Sequence, residues 1–125
     1  MPPLLLVMLG GAIGAGFRYH VGTVALRNMG PGFPWGTLIV NLLGGLLMGL
    51  LIGSIARDGQ AGEPLRLFLG VGVLGGVTTF SAFSLETYNM VLRGDAMLAG
   101  AYAIGSVFGA ILLVGAGLWL TRGTA

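Results

Sequence analysis

The sequence predicts an all-α membrane protein with four transmembrane helices, the third broken at its centre. Three observations carry that expectation. Of the 125 residues, 55% are hydrophobic and only 8% charged, and the mean hydropathy is +0.94, too apolar for a soluble domain of this size. Turn-rich segments divide the apolar sequence into four stretches, each close to the roughly 20 residues that a helix needs to cross the hydrocarbon core. Within the third stretch, Gly75-Gly76-Val77-Thr78-Thr79-Phe80-Ser81-Ala82-Phe83-Ser84 sets two glycines and four hydroxyls in otherwise apolar surroundings. In hydrocarbon a broken helix leaves backbone N–H and C=O groups unpaired, so a break survives only when it is buried in protein or lines a cavity.

The first helix is expected over about residues 4 to 27. Met1-Pro2-Pro3 runs directly into a Gly-rich apolar segment that lacks the charged start and short core of a cleavable signal peptide, so we read it as a retained helix. Asn28-Met29-Gly30-Pro31-Gly32-Phe33-Pro34 is a turn, and the second helix follows over about 36 to 57. The segment Asp58-Gly59-Gln60-Ala61-Gly62-Glu63-Pro64 leads to the third span, about 65 to 90, and Leu92-Arg93-Gly94-Asp95 leads to the fourth, about 97 to 120. Residues 1–125 then form a single four-helix transmembrane domain, multi-pass in the cell inner (plasma) membrane. Small residues four apart recur at Gly10 and Gly14, at Gly45, Gly49 and Gly53, at Gly72 and Gly76, and at Ala101, Gly105 and Gly109. In lipid such rows let helix backbones approach closely.

Composition also excludes. With no cysteine and a lone His20, disulfides, thiolate metal sites, cysteine nucleophiles and histidine clusters are ruled out. The six basic residues are all Arg, and no basic run suggests nucleic acid. No nucleophile, base and orienting group come together in the sequence, so no enzyme is expected. Four spans put Arg57, Arg66 and Arg122 on one side; Arg27 and Arg93 lie opposite, and Arg18 leans toward them. Such a balance arises by chance in a short chain, and it is also what a chain inserting in both orientations and pairing antiparallel would need.

The polar residues at membrane depth are rich in donors and nearly chargeless. Thr37 and Asn41 share one face of the second helix, and Tyr102 and Ser106 share one face of the fourth, each pair at i, i+4. Singly, each reads as an interhelical or backbone hydrogen bond; together with Thr78, Thr79, Ser81 and Ser84 they suit a path for a small anion, whose hydration they replace without a deep electrostatic trap. In the third span the glycines permit unwinding, and Thr78 or Thr79 caps a resumed helix. Carbonyls freed near Gly75 to Thr78 suit a cation such as Na⁺, while the N-terminal end of a half-helix favours an anion. Phe80 and Phe83 pair at i, i+3, either as packing or as ring edges facing an anion. Glu86 is the one carboxylate inside a span, a functional group at depth or an interfacial one. Arg18 is either a snorkelling residue or an anion-attracting group in a wet mouth.

Three motifs resemble those of the Fluc (CrcB) fluoride channels along essentially the whole chain. Gly10-Gly11-Ala12-Ile13-Gly14-Ala15-Gly16-Phe17-Arg18-Tyr19 is similar to the first-helix motif of that family, Gly36-Thr37-Leu38-Ile39-Val40-Asn41 to that of the second, and Gly75 through Ser84 to that of the third. The resemblance implies an antiparallel, dual-topology homodimer with two fluoride pores and a structural Na⁺ at the dimer interface. By motif position it implies that the carbonyls of Gly75 and Thr78 hold the Na⁺, that Phe80 and Phe83 line the pores, and that Asn41 is the pore asparagine. It further implies a polar track through Glu86, Tyr102 and Ser106 and a vestibule role for Arg18. The sequence departs from the family pattern at Ala82 and Ala110, where hydroxyls are usual, and at Gly45-Leu46, where a Ser-Phe pair is common. The function expected is passive, fluoride-selective export that relieves intracellular fluoride toxicity. A small multidrug transporter, the main rival, needs a carboxylate in the first helix, and residues 4 to 27 contain none; a non-transporting scaffold explains the glycine rows but not the clustered donors.

Overall fold

The computed structural model describes residues 1–58 and 62–122. Gly59, Gln60 and Ala61 of the expected second turn lie outside the described residues, as do Gly123 to Ala125. Four segments are long and apolar enough to cross a membrane: Pro3–Met29, Trp35–Ala56, Gly62–Leu92 and Ala96–Thr121. The corresponding helices are α1 (Pro3–Met29), α2 (Trp35–Asp58), the two halves of the third span, α3 (62–77) and α4 (Ser81–Leu92), and α5 (Ala96–Arg122).

Local chemistry sets the ends. Pro2 and Pro3 open α1, where a missing N–H is no loss. Gly30, at φ 79°, closes it, its N–H donating to the Leu26 carbonyl at 2.9 Å. Gly94, at φ 91°, likewise turns the chain between α4 and α5. Both positions need a left-handed backbone that other residues rarely adopt.

Packing follows the small residues. Gly10 and Gly14 of α1 lie against α3, where a β-carbon on Gly10 would stand 2.9 Å from the Gly72 Cα. Gly45 and Gly49 of α2 lie against α5, with a β-carbon on Gly45 reaching 2.8 Å from the Ala110 carbonyl. The densest interhelical packing is therefore α2 on α5 and α1 on α3. The row Ala101, Gly105, Gly109 behaves differently, since Gly105 faces open space while Gly109 meets Leu42. Large apolar residues such as Ile104, Phe108, Ile111 and Leu112 point outward, as expected where lipid replaces water.

Two features of the third span differ from the expectation. Most of α3, Arg66–Leu74, is π-helical, and the Gly75 N–H reaches back to the Gly70 carbonyl. The break does not fall at the glycines either. Gly75 is helical at φ −63°, ψ −36°, and the chain leaves the helix at Thr78, at φ −83°, ψ 155°. Gly76 serves packing instead: a β-carbon there would stand 2.6 Å from the Gly11 carbonyl.

Candidate functional site

Opening the helix between Val77 and Ser81 frees backbone groups, and neighbouring side chains take up several of them. The Thr79 N–H donates to Asn41 Oδ1 at 2.9 Å, and Asn41 Nδ2 donates to the Thr79 carbonyl at 3.2 Å. One amide on α2 thus replaces two lost rungs of helix. The Gly76 carbonyl accepts from Arg18 Nε at 3.1 Å. Of the two candidate caps, Thr79 takes the role, its Oγ1 accepting from the Ala82 N–H at 3.2 Å. Thr78 turns back instead, donating from Oγ1 to the Leu74 carbonyl at 3.0 Å, while its methyl rests against Gly44. With the Thr79 N–H committed to Asn41 and that of Ala82 to Thr79, the helical donors for the Gly75 and Thr78 carbonyls are withdrawn, and both residues line an open groove.

That groove, about 570 Å³ in volume, runs between α2, the break and α5, and is lined by Asn41, Gly75, Thr78, Thr79, Phe80, Phe83 and Ser106 with apolar walls from Met48, Val107 and Ile111. Phe80 and Phe83 lie with ring centroids 5.7 Å apart, but they are not equivalent: Phe80 is 76% exposed and Phe83 only 9%. The Phe83 ring packs on Tyr102 at 5.1 Å, and Tyr102 meets the Phe33 ring edge-on at 5.2 Å. The hydroxyl of Ser106 is buried in the same wall and, among the described residues, has no hydrogen-bond partner. An unmet buried donor in a groove that also holds two phenyl rings and an amide is a setting for a small anion.

Behind Phe83 lies a second polar group. Glu86 accepts from Thr37 Oγ1 at 3.0 Å on Oε2 and from the Tyr102 hydroxyl at 3.2 Å on Oε1. These three residues form one hydrogen-bonded set outside the groove, next to a smaller cavity that Thr37 and Glu86 line.

Three expected site residues lie elsewhere. Arg18 stands on the α1 side of the break, held to a carbonyl, and does not line the groove. Ser81 is exposed, with its Oγ 3.4 Å from Thr79 Oγ1, and Ser84 is exposed and donates to the Phe80 carbonyl at 2.9 Å. In a resumed helix both serines project away from the face that carries Phe83. Phe33 belongs to the aromatic stack although it sits in the first turn, where no periodicity signals it.

The fold and site define an all-helical, multi-pass membrane protein whose third span is opened and then tied by side chains of its neighbours. Residues 5–118 match the family described as CrcB-like protein, Camphor Resistance (CrcB), and the chain belongs to that family. It is 56% identical over 122 residues to a protein named fluoride-specific ion channel FluC from Sphingopyxis alaskensis, a match that covers 98% of this chain and 97% of the relative. A protein of the same name from Phenylobacterium zucineum is 55% identical over 123 residues, again with 98% and 97% covered. Another, from Novosphingobium aromaticivorans, is 54% identical over 121 residues, with 95% of each chain covered. These relatives carry the name of a channel, not of an enzyme.

Proposed function

We propose that the protein is a fluoride-selective channel of the inner membrane through which cytoplasmic F⁻ leaves passively, lowering fluoride toxicity. The observation that carries this reading is the buried Ser106 hydroxyl, unpartnered among the described residues, in a groove that also holds Asn41 and the Phe80 and Phe83 rings. The names of the relatives point the same way. Hydroxyl and amide donors replace water around F⁻, ring edges offer positive quadrupole, and no buried lysine or arginine lines the groove to trap the ion. From the groove the path runs past Phe83 toward Tyr102, Thr37 and Glu86. HF enters cells uncharged and dissociates, and the inside-negative potential then drives F⁻ outward without coupling.

A structural Na⁺ fits the same break. The Gly75 and Thr78 carbonyls have lost their helical donors, both residues line the open groove, and carbonyls at half-helix ends suit this ion. Bound there, Na⁺ would offset the negative ends of the carbonyl dipoles and hold the opened backbone in place. Two carbonyls from one chain are few for such an ion, which accords with a second copy completing the site across an antiparallel, dual-topology homodimer. The open face of the groove is where that copy would sit.

Purified protein in liposomes, with valinomycin to dissipate charge, provides the test. Rapid F⁻ efflux with negligible Cl⁻ efflux is expected, whereas no F⁻ flux from well-folded protein would refute the channel reading.

A further inference from the structure

A row of aromatic rings runs from the first turn to the groove. Between centroids, Trp35 and Phe33 lie 4.7 Å apart, Phe33 and Tyr102 5.2 Å, Tyr102 and Phe83 5.1 Å, and Phe83 and Phe80 5.7 Å. Phe33 does not line the groove, but it packs against the buried cluster that holds Phe83 and Tyr102. The planes in such a row are set by neighbours, because the terminal torsion of Phe and Tyr is broad and roughly two-fold and does not itself fix where a ring edge points. Tyr102 meets Phe33 at an interplanar angle of 83°, the edge-to-face arrangement that the ring quadrupole favours, while its hydroxyl donates to Glu86 Oε1. Phe83 in turn packs on Tyr102 at 45°. Phe33 is itself held. It precedes Pro34, which confines its backbone to extended conformations, and its carbonyl accepts from the Trp35 N–H at 2.9 Å. The neighbouring Gly32 carbonyl accepts from Arg93 Nη2 at 3.0 Å, tying the turn to the end of α4.

We propose that Phe33 is a positioning residue for conduction: standing in the first turn, outside the groove, it sets the plane of Tyr102 and through it the plane of Phe83. The inference rests on the channel reading. The edge of a phenyl ring attracts an anion and its face repels one, so the plane of Phe83 decides what the groove offers to F⁻. A Phe83 ring turned from its place would leave the residues of the lining the same and the anion less well held. Tyr102, 2% exposed, has little room to turn while Phe33 stands against it and Glu86 holds its hydroxyl; without the Phe33 ring one of those two restraints is gone.

Single-channel recording of the purified protein in planar bilayers provides the test, because unitary current reports the path within each folded molecule and is blind to how many molecules fold. Phe33→Leu keeps an apolar side chain in the turn without a ring. Its unitary F⁻ current is expected to fall about threefold, inside the roughly two- to tenfold weight of one edge-to-face contact. Phe33→Tyr restores the ring, its hydroxyl accommodated by the adjoining cavity of about 320 Å³ that Phe33 lines, and is expected to conduct as wild type does. Wild-type unitary current from Phe33→Leu, even with fewer active molecules, would reduce Phe33 to packing and overturn the proposal while leaving the channel reading intact. An equal loss in Phe33→Leu and Phe33→Tyr would overturn it too, since the ring would then not be what matters. Phe33→Met, whose flexible chain fills irregular space, is the second ring-free variant should Phe33→Leu fail to fold, with the same threefold fall expected and the same overturning result. A wild-type protein that passes no F⁻ removes both readings at once.

Discussion

Asn41 clasps Thr79 from both sides, accepting from its N–H at 2.9 Å and donating to its carbonyl at 3.2 Å. The two residues lie on different spans, and their exchange copies what a β-ladder or helix would otherwise provide for an extended residue. Neither an ionised carboxylate nor an aliphatic residue at position 41 can make both bonds.

Asn41→Ala therefore leaves a donor and an acceptor of Thr79 unmet at membrane depth. The expected loss of stability is about 1–3 kcal/mol, together with loss of F⁻ flux. Unfolding in detergent followed by tryptophan fluorescence measures the first; a variant as stable as wild type would show that water replaces the amide.

Phe83→Ile is expected to abolish F⁻ transport while the protein keeps the elution volume of the wild type on gel filtration. Phe83 is 9% exposed and stacks on Tyr102, so an aliphatic residue fills the space without offering a ring edge. Normal flux in this variant would count against a Phe-lined path.

For Ser106 stability and function should separate. Its hydroxyl is buried and, among the described residues, without a partner, and replacing it by a methyl removes an unmet polar group, which is neutral or stabilising by up to about 1 kcal/mol. Ser106→Ala should therefore unfold no earlier than wild type yet conduct F⁻ more slowly. A variant that is both less stable and fully conducting would contradict the role given to this hydroxyl.

The paired glycines make opposite predictions. A β-carbon on Gly76 would lie 2.6 Å from the Gly11 carbonyl, whereas on Gly75 its nearest neighbour is the Gly70 carbonyl at 3.7 Å. Gly76→Ala should destabilise by about 1–3 kcal/mol through overpacking of backbone on backbone. Gly75→Ala should fold as wild type does. Thermal melts of the two variants side by side decide the matter, and equal melting temperatures would refute the close α1–α3 approach.

The four spans were legible because hydropathy and turn residues report burial in lipid directly, and the glycine rows on α1, α2 and α3 pointed to close packing for the same reason. The site was less so. Gly75 and Gly76 suggested unwinding by their flexibility, but the chain opens at Thr78, where Asn41, 38 residues before Thr79, offers the hydrogen bonds that make an extended backbone tolerable. Composition alone contains no such long-range partner. The choice between Thr78 and Thr79 as cap stayed open for that reason too, since each has the hydroxyl and only the tertiary fold assigns the roles. Ser81 and Ser84 were grouped with the polar path on residue type, yet the helix turns them to the exposed side. The π-helical turns of α3 leave no trace in hydropathy, which reads the same for either helix.

Those wide turns fix a rotational phase. In an ordinary α-helix each added or removed residue swings all that follows by about 100°. The Gly75 face looks into the groove and the Gly76 face against α1 because the Arg66–Leu74 segment delivers the chain to them at one particular angle. A single-residue deletion there, though it would leave every residue of the site unchanged, would turn Gly75 out of the groove and bring its neighbour in. The length of an otherwise featureless apolar stretch is thus as much a determinant of the site as the amide and hydroxyls that form it.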